Sequence, residues 1–160
     1  MSTAAISTPP SVLHSTYTIE RTYAATPERV FAALSDPAKK RRWFAGDAAE
    51  SFTTDFRVGG HETTRRGTPV ESPMKGLPLT NETVFHDIVP NRRIVLGYTM
   101  ALGDYRFSAS LATFELIPAE TGTRLVYTEQ AAFFENSDGP VIREAGWRGL
   151  LVALAKEAEA

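Results

Sequence analysis

Glu129 is the carboxylate of this sequence with the clearest claim to chemistry inside a fold. It shares strand parity with Leu125 and Tyr127, so a segment that turns those two inward also buries the Glu129 carboxylate. A buried carboxylate needs a partner or a raised pKa. Either suits a ligand hydrogen bond or proton transfer, and the plainer account is an ion pair with an arginine at a cavity rim. His61 is the second polar anchor. His86 alternates with Val84 and Ile88 and reads as a satisfied core histidine. Trp147, with Gly146 beside it and Gly149 two residues on, suits a pocket wall where a ligand approaches the helix backbone. Its plainer account is a core tryptophan whose glycines let a helix lie close to a sheet. Arg106, among Tyr105, Phe107 and Ser108, would hold an acidic ligand group if it turned inward. Both alternating sets there mix aromatic and polar residues, so the facing stays open. The run Lys39-Lys40-Arg41-Arg42 reads as the solvated face of a short helix.

Other chemistries lack their residues. With no cysteine and three histidines, none at helical metal spacing, disulfides, thiolates and a metal site have no support, and no cofactor is expected. There is no Gly-x-Ser-x-Gly elbow and no converging serine, histidine and acid set. Gly59-Gly60 lies between strands instead of opening a helix, which excludes a phosphate loop or dinucleotide fingerprint.

The elements that must position these residues follow from length and pattern. A chain of 160 residues, 42% hydrophobic and 22% charged, fits one globular core. A net charge of −2 with both signs dispersed gives no field for nucleic acid. The longest apolar run, Leu150 to Ala155, is far short of a membrane span. Residues 1–13 read as a flexible Ser/Thr/Pro tail without a secretory signal, residues 14–160 as one domain, and the location as cytoplasmic.

Thr16 to Tyr23 is strand-like. Thr26-Pro27 caps and opens a helix with Val30, Phe31 and Leu34 on one face, and Asp36-Pro37 opens a second short helix through about Arg42. Period two then takes over. Phe52, Thr54, Phe56 and Val58 share a strand side, Gly59-Gly60 turns or bulges, and His61 to Arg66 continues as a strand. Gly67 to Thr80, rich in proline, reads as a loop over a cavity mouth. Asn81–Val89 with Arg93–Met100, and Asp104–Ile117 with Thr123–Phe133, form two hairpins. Asp138-Gly139-Pro140 caps a long final helix on which Trp147, Leu150, Leu151 and Leu154 form an apolar face, widened by Ala145, Gly146, Gly149 and Ala153.

This order, one strand, two short helices, six antiparallel strands and a long C-terminal helix, resembles the α+β helix-grip fold of the START-like, birch-pollen-allergen-like superfamily, also called SRPBCC. Ile19-Glu20-Arg21-Thr22-Tyr23, Thr26-Pro27-Glu28-Arg29-Val30-Phe31, Trp43-Phe44, Phe56-Arg57-Val58-Gly59-Gly60, Ala112-Thr113-Phe114-Glu115-Leu116 and Gly122-Thr123-Arg124-Leu125 are similar to the branch named for activators of heat-shock-protein ATPase. The resemblance covers about His14 to Lys156. It implies a curved antiparallel sheet wrapped on the helix, with a hollow between them. The walls expected there are Phe31, Trp43, Phe56, Phe85, Tyr98, Phe114, Tyr127, Trp147 and Leu150, with Glu129 and His61 as anchors. The expected partner is a small, mostly apolar molecule, lipids among them, and catalysis is not the favoured reading. The alternatives are a polyketide cyclase or dehydratase using a cavity carboxylate or histidine, and a chaperone ATPase regulator. A single domain counts against the chaperone partner. Pairing of two copies through strand edges stays open.

Overall fold

A computed structural model describes residues 8–68 and 76–160. Most of the expected tail and the middle of the expected 67–80 loop lie outside the described residues. In chain order the elements are β1 (Leu13–Tyr23), α1 (Pro27–Ser35), α2 (Pro37–Lys40), β2 (Ala49–Thr54), β3 (His61–Gly67), β4 (Pro78–Val89), β5 (Arg93–Leu102), β6 (Tyr105–Ala119), β7 (Gly122–Phe133) and α3 (Gly139–Glu159). The seven strands form one antiparallel sheet in the order β1-β7-β6-β5-β4-β3-β2. Strands β2 to β7 thus meander through hairpins, and β1 returns to pair with β7. The sheet is curved and open, and α3 packs across it, as the helix-grip architecture requires.

The helix starts follow their capping chemistry. The Thr26 hydroxyl accepts from the Arg29 amide at 3.3 Å, and the Asp36 carboxylate accepts from the Lys39 amide at 2.9 Å. A wide π-helical turn, Arg41–Ala45, extends α2 and ends at Gly46, whose φ of +70° suits a glycine. This turn brings Trp43 inward, where its indole donates to the Ala33 carbonyl at 2.7 Å. Before β3 the chain passes so close to itself that a Cβ on Gly60 would lie 1.9 Å from the Asp55 carbonyl oxygen. Only glycine fits there.

Helix α3 meets the sheet through Arg143, Trp147, Leu151, Leu154 and Ala158, a stripe with steps of three and four residues. The Tyr23 hydroxyl donates to the Leu151 carbonyl at 2.8 Å and ties β1 to the helix. The stripe is narrower than the sequence suggested. Ala145, Gly146 and Gly149 are exposed, and a Cβ added to either glycine would meet nothing within 4 Å. The glycines therefore do not serve close helix–sheet packing. Gly149→Ala should stabilise the protein by about 1 kcal/mol, because it removes backbone entropy from the unfolded chain without creating a clash. A raised urea midpoint checks this, and a lowered one would show that the position is sterically restricted.

Four local expectations are corrected. Strand β2 stops at Thr54, so Phe56 packs from a loop, edge-on to Phe31 and Phe85, and Val58 is exposed. Pro78 to Thr80 belong to β4 and not to a loop. A register shift between Phe85 and Asp87 reverses strand parity, so Phe85 and Ile88 both reach the core while His86 between them is exposed. Asp138 does not cap α3 with its side chain, because its carboxylate is engaged by Arg143.

Candidate functional site

The inner faces of β3, β4 and β5 extend beyond the stripe that α3 covers. Between them and the first three turns of α3 lies a cleft of about 390 Å³. Phe44, Leu79, Met100, Ile142, Trp147 and Leu150 give it apolar walls, and Thr64, Arg66, Asn81, Tyr98, Asp138 and Arg143 give it polar ones. Gly146 keeps the helix side of the wall free of bulk. Ile142 is 64% exposed at the rim, beside the exposed Val141. Larger hollows of about 540 and 580 Å³ lie between the start of α1 and the β4–β5 turn, and beside His61, His86 and Arg106. Both are lined by several charged or polar side chains, among them Arg92, Arg93 and Glu115 in the first and Glu82, His86 and Arg106 in the second, and both expose less apolar surface than the cleft.

Of the residues expected to line one hollow, Tyr98, Trp147 and Leu150 meet at this cleft. The remaining aromatics fill the interior. Trp147 stacks on Tyr127 with ring centroids 4.4 Å apart, and Phe114 meets both rings edge-on. Phe31, Phe56 and Phe85 form a separate edge-to-face cluster, and Trp43 is held by its indole bond. The volume beneath the middle of α3 is therefore plugged by its own aromatic lining, and the open volume is displaced to one end.

Glu129 is inward, as its parity required, and fully buried. It does not pair with a rim arginine. Its carboxylate accepts from Tyr17 at 2.7 Å, Tyr127 at 3.2 Å and Tyr98. The Tyr98 oxygen in turn accepts from Arg143 Nη1 at 3.0 Å and Trp147 Nε1 at 3.1 Å. Both lone pairs and the proton of Tyr98 are thus in use. Burial, reinforced by the Glu129 charge, raises the titration of Tyr98 and Tyr17 well above the usual phenol range. Tyr127 is raised by burial first, then by Tyr98 and Glu129.

Arg143, which sequence reasoning passed over, is the cationic centre of this wall. It is 5% exposed. Nε and Nη2 hold the two Asp138 oxygens at 2.8 and 2.9 Å, Nη2 also reaches Ser108 at 2.8 Å, and Nη1 reaches Ser110 at 3.5 Å as well as Tyr98. All five N–H groups have acceptors, leaving none for a ligand. Burial opposes its charge, but Tyr98, Asp138 and Glu129 outweigh that and hold its pKa above the ordinary value. The only sequence signal was its place four residues before Trp147 on the buried stripe.

Two further expectations change. His61 is exposed, and its neighbour Glu62 is the inward residue at 2% exposure. Lys40 is not on a solvated face; it is buried and pairs with Glu62 Oε1 at 2.8 Å. Arg106 turns outward, 3.7 Å from Glu82. The inner side of its strand carries Ser108, Ser110, Ala112, Phe114 and Leu116. Among the described residues no group of three or more metal-ligating side chains converges, and no helix is long and apolar enough to cross a membrane.

Residues 24–159 match the family described as Activator of Hsp90 ATPase homolog 1-like protein. The crystal structure of a Rhizobium loti protein is 50% identical, covers 92% of this chain and 99% of its own, and superposes with a TM-score of 0.84. A Rhizobium leguminosarum protein is 37% identical over 93% of this chain and 97% of its own, with a TM-score of 0.86. A Chromobacterium violaceum protein, 24% identical over 91% of this chain and 97% of its own, shares the fold with a TM-score of 0.72. A search of functionally curated proteins returns no match.

Proposed function

We infer that this chain, which belongs to the Activator of Hsp90 ATPase homolog 1-like family, binds one small, mostly apolar molecule in the cleft between β3–β5 and the start of α3. The observation that carries this reading is the cleft itself: about 390 Å³ with apolar residues on opposed walls, within the size range of small-molecule sites. Its rim supports it too, since Ile142 lines the cleft yet is 64% exposed, and a bound ligand would cover it.

The polar wall favours binding over proton transfer. Glu129 lies behind three phenols, Tyr98 is saturated and a poor proton acceptor below its raised pKa, and Asp138 is engaged by Arg143. These groups hold the wall rigid, which lowers the ordering cost of binding.

The neutral fluorophore N-phenyl-1-naphthylamine is expected to bind saturably in the micromolar range, with one site per chain. Gly146→Leu places bulk at the helix side of the cleft, where the backbone has free space. It should weaken the probe by at least roughly tenfold while leaving thermal unfolding within a few degrees of wild type. Absence of saturable binding to the wild-type protein would overturn the reading.

A further inference from the structure

At the deep end of the cleft and in the void beside it lie polar atoms that the described residues do not satisfy. Glu62 and Thr64 are two apart on β3 and so project side by side from its inner face, at 2% and 3% exposure. Across the β3–β4 ladder they stand opposite Thr83 and Asn81. Glu62 Oε1 is held by Lys40, but Glu62 Oε2 and Thr64 Oγ1 are buried without a hydrogen-bond partner among the described residues. Thr64 and Asn81 line the cleft. Glu62, Lys40 and Asn81 line a void of about 10 Å³ that shares Phe44, Asn81, Tyr98 and Trp147 with the cleft as common walls. That space is about the size of a single oxygen-bearing group. Buried polar atoms left unpaired are costly, so two on neighbouring inward positions of β3, one lining the cleft and one the void beside it, mark the place of a ligand's polar end.

The chemistry of that end follows from the charges. An unpaired carboxylate oxygen needs a donor, and the unpaired threonine hydroxyl can supply one bond in return. A carboxylate on the ligand would set a second negative charge against Glu62. An ammonium would leave a surplus buried cation, because Lys40 already balances Glu62. A neutral hydroxyl meets both needs with one atom.

Building on the cleft as a binding site, we propose that its ligand is an apolar molecule ending in a neutral hydroxyl, an alcohol or a phenol, whose O–H donates to Glu62 Oε2 and accepts from Thr64 Oγ1. The Asn81 side chain, whose amide oxygen already accepts from Thr83 Oγ1 at 3.1 Å, borders the same void.

The test is displacement of N-phenyl-1-naphthylamine by 1-octanol, octanoate and octylamine from the wild-type protein and from Thr64→Val. Valine keeps the shape and removes the hydroxyl. Because Thr64 Oγ1 bonds to nothing among the described residues, Thr64→Val should fold with unchanged or higher thermal stability, and Thr64→Ala serves as a second variant if it does not. Octanol should be the best competitor, and Thr64→Val should weaken it by roughly five- to tenfold while leaving octanoate unchanged. Thr64→Ser should restore octanol. Equal competition by all three compounds, a preference for octanoate, or an octanol affinity indifferent to Thr64 overturns the hydroxyl assignment and leaves the cleft reading standing. If the probe itself does not bind, both fall.

Discussion

Glu129→Ala is expected to lower the free energy of unfolding by on the order of 5 kcal/mol, more than any other single truncation in this wall. The carboxylate is the common acceptor for three phenols, of which Tyr98 and Tyr127 are buried and Tyr17 is half-buried. Removing it strands three donors in the interior, each costing about 1–3 kcal/mol, and opens a cavity among the aromatic rings. It also takes away one of the negative charges that hold Arg143 protonated against its own burial. Glu129→Gln keeps an acceptor oxygen of similar reach, so its cost should be about half as large. The check is urea unfolding of both variants together with Glu129→Leu in a Tyr17→Phe, Tyr98→Phe, Tyr127→Phe background. There the donors are gone as well, and the additional loss from Glu129→Leu should shrink to within about 2 kcal/mol. An alanine variant within 1 kcal/mol of wild type would mean that the three bonds carry no net stability.

The contrast between Glu129 and Glu62 shows what the sequence could and could not reveal. Strand β7 contains Leu125, Tyr127 and Glu129 in alternation, so the apolar pair declares which side is inward and the carboxylate follows. The turn residues around it, Glu120-Thr121-Gly122, bound the strand and fix its partner. In β3 the sequence runs His61-Glu62-Thr63-Thr64-Arg65-Arg66-Gly67, with no apolar side chain to declare a face. Its parity is set instead by pairing with β4, and that register placed Glu62 inward where His61 was expected. His86 was misplaced for a related reason, since the bulge after Phe85 shifts parity by one and leaves no mark on local composition. Arg143 was passed over because guanidinium groups usually seek water. Its burial depends on Asp138, Ser108, Ser110 and Tyr98 converging from a loop and two strands. The helix-grip order was legible because caps, hairpin turns and long apolar periods are local; the cleft was not, because it is what remains after the aromatics have packed.

Raising the pH through 10 toward 11 should unfold the protein steeply. Tyr23, Tyr98 and Tyr127 are buried, and burial is the first cause that lifts their phenols well above the ordinary value. In the unfolded chain each titrates near pH 10. Below that pH both states are protonated, and the neutral phenols contribute their full stability. Above it the unfolded state gives up protons that the native state keeps, so stability falls as pH rises toward the native pKa values. Each such group costs about 1.4 kcal/mol per pH unit, so the three together remove about 4 kcal/mol by pH 11. Tyr17, half-buried and also raised by burial and by Glu129, adds to the same loss. The urea midpoint should drop from pH 9 to pH 11, and phenolate absorbance should appear in step with the loss of secondary structure. Tyr98→Phe should reduce the slope by about one proton, with a stability offset already present at pH 9 from the bonds it no longer makes to Glu129, Arg143 and Trp147. Release of N-phenyl-1-naphthylamine should follow the same transition, since the wall that shapes the cleft is the wall these phenols hold. Smooth ionisation of all five tyrosines near pH 10 with the fold retained would mean that the phenols are open to water, and that the rigid wall on which the binding reading depends does not exist.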